Sequence, residues 1–112
     1  MKDLKISKEL LSEVLNYEVD VFLGINKNEI DYTCCRDENE GYIDISINLY
    51  EFAFKCKEWA RDKYNITISS ALYSNYAESW NVDKDKSYTA KTEVEVIIKA
   101  CEWVLKEAKN NI

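Results

Sequence analysis

The segment Lys55–Lys63 reads KCKEWARDK and the segment Lys99–Glu107 reads KACEWVLKE, nearly the same phrase written twice at a spacing of 44 residues. The shift pairs Asn48 with Thr92, Glu51 with Glu95, Lys55 with Lys99, Glu58 with Glu102 and Trp59 with Trp103. Asn48 and Thr92 are N-cap types with a glutamate at N3, a capping-box pattern. Glu51–Lys55 and Glu95–Lys99 are favourable i,i+4 pairs. The first copy carries an apolar stripe of Leu49, Phe52, Ala53, Cys56 and Ala60; the second carries Val94, Ile97, Ile98, Cys101, Val104, Leu105 and Ala108. Two capped amphipathic helices must each bury a stripe against something. The flanking strands do not repeat, so the likeness reads as two helices solving one packing problem. Trp59 and Trp103 then sit at the core edge rather than stacking on a ligand.

What the stripes cover is read from the remaining segments. In SKELLSEVLN, Ser7 caps a short helix whose apolar positions are Leu10, Leu11, Val14 and Leu15. Tyr17–Ile25 and Ile30–Cys35 read as strands joined by the turn NKNE, and Tyr42–Ile47 alternates strictly as a third strand. NITISSALYSN and YAESWNV read as a hairpin. The order α-β-β-β-α-β-β-α predicts an α+β fold, a small mostly antiparallel sheet packed with three amphipathic helices in a single domain over 1–112. Two glycines and no proline leave the turns to Asn, Asp, Ser and Lys, so strand ends are weakly marked.

Net charge is −6 and no basic stripe exists, which argues against direct binding to a nucleic-acid backbone. No apolar run reaches membrane-spanning length, and MKDLKISKEL places charges where a signal peptide needs its apolar region, so a cytoplasmic protein is expected. Cys34 and Cys35 are adjacent, Cys56 and Cys101 lie inside helical stripes, and there is neither a CxxC nor a histidine. The cysteines therefore read as packing groups, with no metal site and no cofactor expected.

The stretches ISKELLSEVLN, INLYEFAFKCKEWA and TEVEVIIKACEWVL together resemble small proteins encoded by phages and prophages of low-GC bacteria. Residues 48–107, a helix, two strands and a helix, are similar to the phage ABA sandwich domain. Phe54 stands where related sequences often have histidine, and TEVEVI lacks a proline common after the first acid. The resemblance implies an origin in a phage or mobile element and a place in the host bacterial cytoplasm. It also implies the accessory, anti-defence roles frequent among such proteins, and no catalytic residue to carry over.

Nothing in the residues assembles an enzyme. There is no histidine, no glycine-rich phosphate loop, no GxSxG and no zinc motif. DENEG faintly matches a calcium loop at Asp37, Asn39 and Gly41, but Gly41 stands where another oxygen ligand is needed and Asn48 where an acid is needed. Cys35 beside Arg36 lacks a base. What remains is binding.

Two candidate surfaces stand out. One is the acidic loop Asp37, Glu38 and Glu40, suited to a basic partner. The other is the hairpin LYSNYAESW. With Ser74-Asn75 as the turn, Tyr73 pairs with Tyr76, Ala71 with Glu78 and Ser69 with Trp80. Ile66, Ile68, Leu72, Ala77, Ser79 and Asn81 then face the helices, while Tyr73, Tyr76, Trp80 and Val82 face away unless another element covers them. Tyr73, Tyr76, Glu78 and Trp80 are the residues expected to bind. The expected partner is a bacterial protein, of a defence system or one that handles nucleic acid, which this chain inhibits as anti-CRISPR proteins do. Sequestering a nucleotide immune signal is the alternative, weakened because Arg36 and Arg61 are the only arginines. A phage accessory protein with no direct host target is a third reading.

Overall fold

The computed structural model describes residues 4–37, 41–81 and 86–110, with the side chains of 35–37 and 109–110 excepted. The elements run α1 (Lys8–Leu15), β1 (Val21–Asn26), β2 (Glu29–Asp37), β3 (Gly41–Asn48), α2 (Leu49–Tyr64), β4 (Ile68–Leu72), β5 (Ala77–Asn81), β6 (Lys86–Ala90) and α3 (Glu93–Asn110). The fold is α+β and its strands pair antiparallel, as the sequence predicts, but they form two three-stranded sheets, ordered β1-β2-β3 and β4-β5-β6, rather than the one sheet expected. One strand, β6, was not anticipated. The chain falls into two compact units, Met1–Phe52 and Ala53–Ile112.

In the first unit Ser7 caps α1, its hydroxyl oxygen accepting the Leu10 N–H at 3.1 Å, and Asn16 ends the helix in the left-handed conformation at φ 60°. Asparagine tolerates that geometry better than most residues. The chain then turns back, and the Ser12 hydroxyl accepts the Val19 N–H at 2.9 Å. Tyr17–Asp20 is therefore not strand, and β1 begins at Val21, four residues later than the alternation suggests. On β2, Ile30, Tyr32 and Cys34 are buried, opposite Ile47, Ile45 and Ile43 of β3. The Tyr32 hydroxyl is hydrogen-bonded to the Tyr17 hydroxyl. Burial first, and then this partner, push the Tyr32 phenol well above its ordinary pKa. The β1–β2 ladder shifts register between Phe22 and Gly24, a bulge where Gly24 takes φ +148°.

The caps predicted for the two repeated helices form as well. Asn48 Oδ1 accepts the N–H groups of Tyr50 and Glu51 at 2.9 and 3.1 Å. Thr92 Oγ1 accepts the Glu95 N–H at 3.2 Å, and its hydroxyl donates to Glu95 Oε1 at 3.3 Å.

In the second unit α3 lies across β4, β5 and β6. Its buried residues are Val94, Val96, Ile97, Ile98, Ala100, Cys101, Val104 and Leu105, a wider band than the predicted stripe. Val96 belongs to that band because α3 meets the sheet around it: the Ser79 hydroxyl, fully buried on β5, donates to the Val96 carbonyl at 2.8 Å. Such a bond satisfies a hydroxyl that would otherwise cost about 1–3 kcal/mol to bury. At the start of α3, Ser70 links three elements. Its oxygen accepts from Lys57 Nζ of α2 at 3.2 Å and its hydroxyl donates to Glu93 Oε1 at 3.0 Å. Cys56 of α2 and Cys101 of α3 are fully buried, and Trp59 is 9% exposed with its ring edge-on to Tyr64 at 5.3 Å. Trp59 is thus a core residue, while Trp103 is half-buried.

Candidate functional site

The hairpin β4–β5 forms in the register expected from sequence. Ser69 pairs with Trp80, Ser70 with Ser79, Ala71 with Glu78 and Leu72 with Ala77. The Tyr73 N–H donates to the Tyr76 carbonyl at 2.7 Å, closing the turn over Ser74-Asn75. Because side chains alternate, the register separates two faces. Ile68, Ala77, Ser79 and Asn81 are buried on the α3 side. Leu72 shares that side by alternation yet is 66% exposed, since it ends an edge strand. Its expected place in the core is thereby corrected. Ile66, expected in the same strand, precedes β4 and is half-buried.

The other face holds Ser69 and Ala71 of β4, Glu78 and Trp80 of β5, and Ser87 and Thr89 of β6, with Tyr73 and Tyr76 continuing it at the turn. None of these residues is buried. Tyr73 and Tyr76 are 47% and 43% exposed. Their rings stack with centroids 4.9 Å apart and planes 27° from parallel, a geometry favourable for aromatic pairs. Trp80 is half-buried, two residues along β5 from Glu78. Of the strand residues on this face Glu78 alone is charged. Four of the seven residues singled out from sequence, Tyr73, Tyr76, Glu78 and Trp80, therefore share one open face.

The acidic loop is different. Glu38 and Glu40 lie outside the described residues, as does Val82 of the hairpin. Asp37 is described only by its backbone, which pairs with Gly41 at the end of β2 after a second register shift.

Ser87 and Thr89 were missed because β6 was missed. The signal was present but weak: in KSYTA, Ser and Thr alternate with a single tyrosine rather than with aliphatics. Tyr88 points to the α3 side, where burial first, and then the Glu107 carboxylate, raise its phenol pKa.

Chemically the face offers aromatic surface, hydroxyls and one carboxylate. Among the described residues no group of three or more Cys, Asp or Glu side chains could hold a metal ion. Cys34, Cys56 and Cys101 are free and buried, so none presents a thiol. No helix among the described residues is long and apolar enough to cross a membrane. No family model matches the chain, and neither a curated protein nor a solved structure matches it.

Proposed function

We propose that this chain is a non-enzymatic binding protein that docks the open face of its second sheet against a protein partner. The observation that carries this reading is the stacked, exposed Tyr73–Tyr76 pair on the same face as half-buried Trp80. Tyrosine and tryptophan bury large area on binding at the cost of few rotors, and they dominate interface hot spots. Trp80 lies on β5, backed by α3, and Tyr73 and Tyr76 flank a two-residue turn closed by the Tyr73 N–H to Tyr76 carbonyl bond, so little ordering is needed when a partner arrives. Glu78, the one charge on the strand face, suits a partner donor and disfavours a phosphate. That balance favours a protein over a nucleotide signal.

The resemblance to phage-encoded proteins, including the ABA sandwich domain, gives the partner a class: a bacterial defence or nucleic-acid-handling protein that this chain blocks. Pull-down from bacterial lysate with mass-spectrometric identification supplies the partner, and the purified protein is extracted in parallel for bound nucleotide. Affinity is then measured for wild type, Tyr76→Ala and Trp80→Ala. Loss of at least about tenfold in affinity, with the fold retained, supports the reading. Unaltered affinity, or a bound nucleotide and no protein, overturns it.

A further inference from the structure

The two units differ in charge in a way the whole-chain value hides. Residues 1–52 carry 12 Asp and Glu against 5 Lys and Arg, net −7; residues 53–112 carry 9 against 10, net +1. All of the chain's excess charge thus belongs to the first unit.

That unit also has an open sheet face. The face opposite buried Ile30 and Tyr32 carries Val21, Asp31, Thr33, Tyr42, Asp44 and Ser46 by register. Val21–Thr33–Asp44 form one row across the three strands, with Asp31–Ser46 beside it and Tyr42 two residues from Asp44. Leu23, the residue the bulge inserts, flanks the Asp31 row. Val21, Leu23 and Tyr42 are 46%, 54% and 65% exposed, large apolar side chains left in water on one surface. Asp31 accepts the Ser46 hydroxyl at 2.7 Å, and neither Asp31 nor Asp44 has an ion pair among the described residues. Apolar exposure of this kind, rimmed by polar groups, marks interaction surfaces. The charge decides the occupant. A nucleic acid or an anionic bilayer is repelled by net −7, and a second copy placed face to face would set −7 against −7.

We propose that this face of the first sheet is a second docking surface, and that its occupant is a protein segment combining lysine or arginine with apolar side chains. Asp31 and Asp44 pair with the cations, and Val21, Leu23 and Tyr42 pack against the apolar groups. The inference is independent of the aromatic face of the second sheet.

The test titrates the full chain with two peptides of equal positive charge, an oligolysine and an amphipathic lysine–leucine peptide, following amide shifts by NMR. The amphipathic peptide is expected to bind more tightly, with the largest shifts at residues 21–24, 31–33 and 42–46. Asp31→Asn together with Asp44→Asn keeps an acceptor for Ser46 and is expected to weaken both peptides about tenfold and flatten the salt dependence. Tyr42→Ala is expected to weaken only the amphipathic one. The proposal is overturned if the double variant binds both peptides as wild type does, or if the shifts gather on residues 69–89. It is equally overturned if sedimentation shows a dimer that Leu23→Ser dissociates, for the face then belongs to a second copy.

Discussion

The Cys56 thiol of α2 meets the Cys101 thiol of α3, both at 0% exposure. The repeated phrase offsets its two cysteines by one position, and the two helices bring them face to face. Burial first, and then the neighbouring Cys101 thiol and the Glu102 carboxylate, hold the Cys56 thiol well above its ordinary pKa. A thiolate is the reactive form of cysteine. Native protein treated with iodoacetamide at neutral pH is therefore expected to leave Cys56 and Cys101 unlabelled, with full labelling in denaturant. Rapid native modification at either position, read by mass spectrometry, shows that the contact opens.

The same site sets a stability prediction. Cys101→Ser buries a hydroxyl, and the cost is expected to be about 1–3 kcal/mol by urea denaturation. Lys106→Ala, exposed on the same helix, is expected to stay within about 0.5 kcal/mol of wild type. An unshifted midpoint for Cys101→Ser contradicts the packing of α2 on α3.

Much of this fold was legible because its signals are local. Asn48–Glu51 and Thr92–Glu95 form caps from groups three residues apart, so no tertiary knowledge was needed. The β4–β5 register followed from the placement of Ser74-Asn75 between alternating segments. What was not legible depended on neighbours. β6 is an edge strand whose outward Ser87 and Thr89 leave no apolar alternation to detect. The start of β1 was misplaced because the Ser12–Val19 bond, not residue type, ends the preceding loop. Leu72 looks like a core residue in sequence, and only its place at the end of an edge strand exposes it. On the aromatic face, residue type and register together identified Tyr73, Tyr76, Glu78 and Trp80. No residue-level signal marked the open acidic face of the first sheet, since Val21, Leu23 and Tyr42 read simply as strand formers.

Alkaline pH probes Tyr32. Its pKa is raised in the folded state, so the neutral phenol is favoured there. The stability it contributes is complete below the unfolded value of about 10 and is lost progressively as pH rises above that. Wild type is expected to lose stability above about pH 10 more steeply than Tyr32→Phe, which has no phenol to ionise. Tyr32→Phe also gives up the bond to Tyr17, at about 1 kcal/mol near neutrality. Parallel pH profiles for the two proteins count against a buried, neutral Tyr32.

The bulge in β1 makes the last prediction, and it separates two causes usually entangled. A Cβ at Gly24 meets no atom of the described residues within 4 Å beyond its own residue and its two chain neighbours, so packing does not forbid alanine. The backbone does: φ +148° lies where L side chains are rarely found. Gly24→Ala must adopt a strained conformation, at about 1–3 kcal/mol, or remove the bulge. Removing it shifts β1 by one residue against β2 and exchanges its faces, carrying Val21 from the open side and Phe22 from the side of Tyr32. The expected result is a protein destabilised by about that strain but retaining the amide pattern of β1, because burying Phe22 and Ile25 favours the native register. A substitution that leaves the denaturation midpoint where it was shows that the bulge is not needed at Gly24. Amide shifts that change along all of β1 and β2 show the register slipping, and the apolar surface of the first sheet then moves with it.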